Sequence, residues 1–272
     1  MSLKERIKEI IKASQVRYAN ISFTSPGERL KGKRILVTGG TSGIGLEMAK
    51  RFVKEGARVM MTGRNEEKLL KTAQEVGCLA LPLDLKDVES FAPFVKQAES
   101  QLGGIDCLVN NAGVSLHEYS FMDVKPAGFD EQIATNFRGP FFLSQQVLGR
   151  MEKNKIAGQV LFISSETGEM ADIRPYGLTK AAVNSLVLGL ARLYVEKGIR
   201  VNAIAPGVTA TGMTGYDSDN IYCSFSPNER VYLPEEIAEV ATFLLSDASG
   251  CISGQIITCN NGKTINARWK YQ

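Results

Sequence analysis

The segment RILVTGGTSGIGLEMAKRFV, residues 34–53, determines the fold class predicted for this chain of 272 residues. A short β-rich run at 34–38 leads through a glycine-rich turn into a helical pattern at about 43–55. Glycine lets the backbone turn tightly and approach a phosphate closely, and the helix N-terminus offers free N–H groups to it. A glycine-rich turn without a ligand is the simpler alternative, but the position between strand and helix favours a dinucleotide site.

The remainder of the chain repeats this alternation of strand and helix. Further strands are predicted at 58–62, 78–81, 106–110, 159–164, 199–204 and 255–258, and further helices at about 65–76, 86–101, 129–153, 176–197 and 235–246. Several strands are continuous apolar runs, as expected where helices cover both faces of a sheet. The pattern predicts an α/β fold, a single-domain doubly wound parallel sheet of about seven strands, Rossmann-like. Ligands of such sheets bind beyond the carboxyl ends of the strands.

Residues 34–272 are predicted to form this one domain, preceded by an N-terminal extension at 1–33. Within the extension, residues 1–15 have Leu3 and Ile7 on one helical face and predict an amphipathic helix, followed by an irregular lead-in. The helix is expected to pack on the body or on a partner subunit. The tail at 268–272 is expected to lie at a subunit interface or to cover the body.

Composition limits the classes of partner. The hydrophobic share of 44% and the charged share of 22% are ordinary for a globular protein, and no stretch approaches the apolar length that spans a bilayer. A net charge of +3 spread over 32 basic and 29 acidic residues predicts no nucleic-acid partner. The five cysteines show neither CxxC nor metal-ligand spacing, which favours reduced thiols in the cytoplasm and no metal site.

Six motifs occur in a fixed order along the chain and together resemble the short-chain dehydrogenase/reductase family, in its single-domain branch. They cover about residues 34–262 and are TGxxxGxG at 38–45, Asn110-Asn111-Ala112-Gly113, Asn136, Ser164-Ser165, Tyr176-Gly177-Leu178-Thr179-Lys180 and Pro206-Gly207. The resemblance implies an NAD(P)-dependent oxidoreductase that interconverts a secondary alcohol and a ketone by hydride transfer. It also implies a homodimer or homotetramer assembled through the helices at 129–153 and 176–197.

The resemblance assigns residues along the predicted cofactor cleft. Asp84 matches the family's adenine-contacting acid, although capping of the helix expected near Lys86 is an equally good interpretation. Thr209 stands where the family more often has an aliphatic residue, so its backbone is a better candidate than its hydroxyl. The cofactor-binding candidates are Gly39, Thr41, Ser42, Gly43, Ile44, Gly45, Arg64, Asp84, Leu85, Asn111, Ala112, Gly113, Tyr176, Lys180, Pro206, Gly207, Thr209 and Thr211.

The end of the second strand predicts the choice of cofactor. Gly63 occupies the position of the family's usual Asp, which would bind the ribose 2′-hydroxyl of NAD and repel the 2′-phosphate of NADP. Arg64 follows, and a guanidinium can pair with a phosphate through two parallel hydrogen bonds. We therefore expect NADP rather than NAD. The alternative is a solvated surface arginine in the charged run 64–68.

Tyr176 and Lys180 lie one helical turn apart and so project from one face. Free tyrosine has a pKa near ~10, and a neighbouring ammonium would lower that pKa toward the range of a general base. The resemblance makes Tyr176 the proton-transferring residue, Ser165 the group that holds the substrate oxygen, and Asn136 the residue that kinks a helix and supports a water relay. Ser164 is the alternative active serine; Gly168, three residues after Ser165, favours the latter.

Substrate identity and reaction direction remain open in the sequence. Residues 212–233 predict a substrate lid or, alternatively, a two-helix surface excursion with buried aromatic residues. His117, the single histidine, is expected to be an exposed loop residue. Rival interpretations of the whole chain are a non-catalytic dinucleotide sensor or scaffold, which the complete set of four catalytic residues opposes, and a sugar-nucleotide epimerase or dehydratase, which usually has another glycine spacing and a larger C-terminal region.

Overall fold

A computed structural model describes residues 3–13 and 28–265 of the chain. The N-terminal helix α1 spans Leu3–Ala13, within the range that the sequence predicts. Most of the predicted lead-in and the tail at 268–272 lie outside the described residues. The sheet and its helices occupy the second range.

Seven parallel strands form one sheet in the order β3-β2-β1-β4-β5-β6-β7, which confirms the predicted fold class. The order reverses between β1 and β4, so the carboxyl ends of these two neighbours open a crevice there. The strands are β1 Arg34–Val37, β2 Arg58–Met61, β3 Leu79–Ala80, β4 Cys107–Asn110, β5 Gln159–Ile163, β6 Arg200–Pro206 and β7 Ile256–Cys259.

Helices cover both faces of the sheet because successive side chains of each buried strand point to opposite sides. Ile35 and Val37 of β1 belong to the core that contains residues of α2, α3 and α8, whereas Leu36 belongs to the core with α4, α6 and α7. The helices are α2 Gly43–Lys54, α3 Glu66–Val76, α4 Phe91–Leu102, α5 Pro126–Ile133, α6 Gly139–Lys153, α7 Pro175–Tyr194 and α8 Pro234–Leu245.

Two predicted helices differ in their course. The helix expected at 129–153 is interrupted by a π-helical turn, Ala134–Arg138, because the side chain of Asn136 bonds a neighbouring loop and the wider turn accommodates it. The helix expected from residue 86 begins later, at Phe91, after a 3₁₀ turn at Val88–Ser90.

One helix corrects the expectation about bilayer-length segments. By length and composition alone, Pro175–Lys197 could cross a membrane. It is apolar on two sides: Val183 and Val187 pack in the core, whereas Leu188 and Leu193 are exposed. The expectation was based on uninterrupted apolar runs, and polar side chains, including the buried Lys180, interrupt the apolar sequence of this helix.

The segment 212–233 also differs from one of its two predictions. It contains no helix but is held by isolated bridges, Thr209 to Tyr232 and Tyr222 to Arg230. A small core supports it, formed by Ala210, Ile221, Cys223 and Val231. The two-helix alternative is therefore wrong, since pairings between extended residues replace helical hydrogen bonds here.

A buried charge cluster fastens residues 28–33 to the end of α2. The Glu55 carboxylate is fully buried, and its Oε1 lies 2.8 Å from Nη2 of both Arg29 and Arg51. Glu239 of α8 lies 3.0 Å from the first arginine and 2.6 Å from the second. Burial alone would raise the pKa of Glu55, but hydrogen bonds from Arg29 hold that pKa below its ordinary value. The ionised carboxylate thus stabilises the fold.

Glu55→Gln should lower the free energy of unfolding by about 3 kcal/mol, because removing one charge of a buried pair leaves the others uncompensated. Urea denaturation at pH 7 measures this loss. Glu47→Gln on the same helix is the matched control: its exposed pair with Lys50 should be worth less than about 1 kcal/mol. Equal losses in the two variants would contradict a stabilising role for the buried cluster.

Candidate active site

A cleft of about 580 Å³ lies at the carboxyl ends of the strands and contains almost every predicted site residue. All eighteen cofactor-binding candidates line it, and so do Ser165 and the catalytic pair Tyr176 and Lys180. Asn136 is the exception, because it is buried beside the cleft and does not line it. The motifs that are far apart in sequence therefore meet in one place.

The glycine turn after β1 presents bare backbone to the cleft. Gly39 and Gly43 have φ values of +67° and +54°, which L side chains rarely adopt. A Cβ on Gly45 would collide with the Gly39 carbonyl oxygen and with the Asn111 side chain. Glycine at this position thus lets the start of α2 pack closely on the turn, and the exposed backbone N–H groups of such a turn and helix start fit the pyrophosphate of a dinucleotide.

Thr38 and Asn111 join this turn to the loop after β4. The Asn111 Nδ2 donates to the carbonyl oxygens of Thr38 at 2.9 Å and of Gly39 at 3.0 Å. In return, the Thr38 hydroxyl accepts from the backbone N–H groups of Asn111 at 3.0 Å and Ala112 at 3.1 Å. Thr38 was not among the predicted site residues, although it is the first residue of TGxxxGxG and could have been found there.

The end of the cleft beyond β2 carries the residues expected to choose the cofactor. Arg64 lines it with an exposed side chain, and Gly63 precedes it. A Cβ on Gly63 would lie 3.1 Å from Cγ2 of Thr41, so the missing side chain also leaves room for the turn. Asp84 Oδ1 accepts from the N–H of Lys86 at 3.0 Å. Asp84 therefore caps a turn rather than the later-starting α4.

Tyr176 and Lys180 lie in the first turns of α7, which Pro175 begins. The Lys180 Nζ lies 5.5 Å from the centre of the Tyr176 ring and donates to the carbonyl oxygen of Ile163 at 2.8 Å. Only 4% of Lys180 is exposed. Burial lowers the pKa of Lys180 to about 8.

The pKa of Tyr176 is shifted in the direction opposite to the prediction. Burial raises it, and the hydrogen bond with Ser165 offsets only part of that rise. The physical reason is that the Lys180 ammonium is directed at the Ile163 carbonyl, while the phenol is withdrawn from water. In this geometry the phenol is held in its protonated form.

The two candidate serines have different surroundings. The Ser164 hydroxyl donates to Asn184 Oδ1 at 2.6 Å and is turned toward α7. The Ser165 hydroxyl accepts from the N–H of Thr167 at 3.3 Å and from the Thr167 hydroxyl at 3.0 Å, and it is close enough to the phenol to lower the pKa of Tyr176. The geometry thus places the hydroxyl of Ser165 beside the phenol.

Asn136 holds the loop after β4 from the π-helical turn. Its Oδ1 accepts from the N–H of Val114 and its Nδ2 donates to the carbonyl of the same residue, both at 2.8 Å. The Nδ2 also lies 3.3 Å from the hydroxyl of Thr179 on α7. Asn136 therefore connects the cofactor side of the cleft to the helix that carries Tyr176.

Residues 206–214 close the opposite side. The Thr209 hydroxyl donates to the Gly207 carbonyl at 2.9 Å, so this side chain is turned to the backbone. The expectation that the backbone of Thr209, rather than its hydroxyl, contacts the cofactor fits this orientation. Thr214 was not among the predicted residues; its hydroxyl lies 2.6 Å from the carbonyl oxygen of Thr209 and 3.1 Å from that of Thr211, so its one proton can serve either. No sequence signal marks Thr214, because it acts only through the local path of the loop.

Further polar residues line the same cleft, from the loop after β4 and from the connection between β5 and α7. His117 was predicted from the sequence to be an exposed loop residue; it is exposed and also lines the cleft. The additional lining residues are Ser115, Glu118, Glu166, Thr167 and Arg174.

Comparisons with known proteins agree with this geometry. Residues 39–264 match a family model described as enoyl-(acyl carrier protein) reductase. The chain is 34% identical over 253 residues to gluconate 5-dehydrogenase of Gluconobacter oxydans, covering 87% of this chain and 96% of that protein.

Two solved structures share the fold. One is a 3-ketoacyl-(acyl-carrier-protein) reductase from Brucella melitensis complexed with NADH, with a TM-score of 0.80, 30% identity, and coverage of 86% of this chain and 99% of that one. The other is a short-chain type dehydrogenase/reductase from Mycobacterium marinum, with a TM-score of 0.78, 30% identity, and coverage of 86% and 96%. With its motifs gathered around one cleft, this chain belongs to the short-chain dehydrogenase/reductase family of oxidoreductases.

Proposed function

We propose that the protein is an NADP-preferring oxidoreductase that interconverts a secondary alcohol and a ketone, with Tyr176 as general acid and base. The observation that supports this most directly is the meeting of Ser165, Tyr176 and Lys180 beside the glycine turn. A scaffold without turnover would not require a buried lysine beside a phenol at that position, since burying an ammonium group is costly.

The cleft would hold the cofactor along its whole length. The backbone of the glycine turn would bind the pyrophosphate, and Arg64 would pair with a 2′-phosphate, to which Gly63 offers no opposing charge. The related structure from Brucella melitensis contains NADH, so the NADP preference of this chain rests on these two residues. When bound, the reduced cofactor supplies the hydride that adds to the carbonyl carbon.

In the direction of reduction, the Tyr176 hydroxyl donates its proton to the carbonyl oxygen, which becomes the alcohol oxygen. The raised pKa of Tyr176 suits this role because the phenol stays protonated until it reacts. Ser165 would hold the same oxygen by a hydrogen bond and stabilise the charge that develops on it. In the direction of oxidation the phenolate must accept the proton, and the positive charge of Lys180 favours that form.

The assembly is proposed to be a homodimer or homotetramer formed through the helices of 126–153 and α7. Exposed apolar side chains on the outer face of α7 support this, among them Leu178, Leu188 and Leu193. A cytoplasmic location is proposed because all five cysteines are free thiols.

Tyr176→Phe should lower kcat at least about 100-fold, because the proton donor of the chemical step is lost. NADPH binding, followed by fluorescence titration, should stay within a few fold of wild type. Tyr119→Phe is the matched control, since the side chain of Tyr119 is 97% exposed and should leave kcat unchanged. A Tyr176→Phe protein with wild-type kcat would contradict the assigned role.

Separate Ser165→Ala and Ser164→Ala variants test the choice of serine. The first should lower kcat about 100-fold, in line with the loss of one donor to a developing oxyanion. The second should mainly lower the melting temperature, because it leaves Asn184 without its 2.6 Å bond. Loss of turnover only in Ser164→Ala would show that the assignment is reversed.

Arg64→Ala should lower kcat/KM with NADPH by about 10-fold or more, since a hydrogen bond to a charged group contributes about 1.5–3 kcal/mol. The value with NADH should change little. Lys68→Ala, an exposed cation on the same helix start that does not line the cleft, is the control. If the ratio of kcat/KM with NADPH to kcat/KM with NADH is unchanged in Arg64→Ala, Arg64 does not select the cofactor.

A further inference from the structure

The cleft that contains Tyr176 is lined in part by charged and polar side chains of the neighbouring loops. His117 and Glu118 come from the loop after β4, and Arg174 comes from the residue before α7. Ser115 and Thr167 add hydroxyl groups. The side chains of Arg174, Glu118 and His117 are each held in place by hydrogen bonds. Such fixed groups can select a ligand.

Arg174 is oriented by a carboxylate beneath it. Its Nε and Nη2 donate to Oδ1 and Oδ2 of Asp172, each at 2.8 Å, and the Asp172 side chain is only 7% exposed. The Asp172 Oδ1 also accepts from the backbone N–H of Arg174 at 3.1 Å. Among the hydrogen bonds of the described residues, the Nη1 group of Arg174 is not used. It is available to an acceptor in the cleft.

Glu118 is fixed in the same manner. Its Oε1 accepts from Nε2 of the fully buried Gln132 at 2.6 Å, while none of the hydrogen bonds within 3–13 and 28–265 uses its Oε2. The pKa of Arg174 is raised, first by the hydrogen bond with Asp172 and also by the charge of Glu118. The two opposite charges thus lie in the same part of the cleft.

His117 makes a contact across the cleft. Its Nε2 lies 2.8 Å from the carbonyl oxygen of Met213, in the segment on the other side of the cleft. A carbonyl oxygen only accepts, so Nε2 of His117 is the donor in this bond. His117 has a φ of +55°, in the left-handed region that non-glycine residues rarely adopt. The contact with Met213 holds the ring across the cleft in that conformation.

We propose that the substrate is a small polyhydroxylated ketone or the corresponding polyol, with Arg174 and Glu118 as its specificity-determining residues. The inference rests on the proposed function. Hydroxyl groups both donate and accept, so a row of them can satisfy the guanidinium and the carboxylate together. An apolar ketone would cover both groups without replacing their bonds to water, which is costly. A carboxylate on the same carbon chain would find its partner in Arg174.

The test is NADPH-dependent reduction of three six-carbon ketones: D-fructose, 5-keto-D-gluconate and 2-hexanone. At least one of the two hydroxylated ketones should exceed 2-hexanone in kcat/KM by about 100-fold or more, because a site that bonds substrate hydroxyls rejects the analogue without them. A preference for the keto acid over fructose would identify a carboxylate as the group that Arg174 binds. An equal or higher value for 2-hexanone, or no reduction of either hydroxylated ketone, would overturn the inference.

Two variants connect the preference to the named residues. Glu118→Gln keeps an oxygen for Gln132 but replaces the second acceptor with a donor, and Arg174→Lys keeps the charge but removes the planar fork. Each should lower the ratio of kcat/KM for the hydroxylated ketone to that for 2-hexanone at least tenfold. Asp130→Asn, an exposed change on α5 outside the cleft, should leave the ratio unchanged. Unchanged ratios in both cleft variants would contradict the assignment of the two residues.

The proposed function fails separately from this inference. If the protein reduces 2-hexanone but neither hydroxylated ketone, and Tyr176→Phe abolishes that activity, the proposed oxidoreductase function is supported and the proposed substrate class is wrong. If reduction of a hydroxylated ketone persists in Tyr176→Phe, the proposed substrate class is supported and the role of Tyr176 as proton donor is wrong.

Discussion

The active site depends on the hydrogen bonds that join the turn after β1 to the loop after β4. The two strands are paired through their backbones up to Thr38, and beyond that point the reciprocal bonds of Thr38 and Asn111 hold the two connections together. Those bonds begin a chain that crosses the molecule. Asn136 pairs with the backbone of the same loop, its Nδ2 reaches the Thr179 hydroxyl, and that hydroxyl donates to the Tyr176 carbonyl at 2.6 Å. The cradle for the cofactor and the helix with the phenol are therefore positioned together.

Burial has opposite consequences for the two titratable groups of this helix. It favours the neutral forms of both, which raises the pKa of Tyr176 and lowers that of Lys180 to about 8. A protonated phenol is ready to donate, so the geometry described here suits reduction. Oxidation requires the phenolate, which the Lys180 ammonium would stabilise if it were directed at the phenol. In this structure the ammonium instead donates to the Ile163 carbonyl. The balance between directions thus depends on where the lysine donates its protons.

Most of the fold could be predicted because the signals are local and repeated. All seven strands lie within about two residues of their predicted bounds, since buried parallel strands are continuous apolar runs. The interruption of the helix at Ala134–Arg138 could not be placed from periodicity, because the bond from Asn136 to Val114 that accompanies it joins residues distant in sequence. The direction of the Tyr176 pKa was wrong for a similar reason: spacing shows that the lysine is near, but burial depends on the whole fold.

The residues that could be predicted from the sequence are those proposed for the cofactor and the chemistry, whereas those proposed to select the substrate could not be predicted. Groups that would serve any substrate of the fold follow the strands and have motifs, whereas Glu118, Arg174 and His117 lie in loops without one. Their positions are set by individual partners: a buried glutamine, a carboxylate two residues away, and a carbonyl across the cleft. A loop can change such partners without disturbing the sheet, so the selectivity of each member can diverge while its chemistry is kept. The strained backbone of His117 fits this view, because it is retained where it holds the two sides of the cleft together.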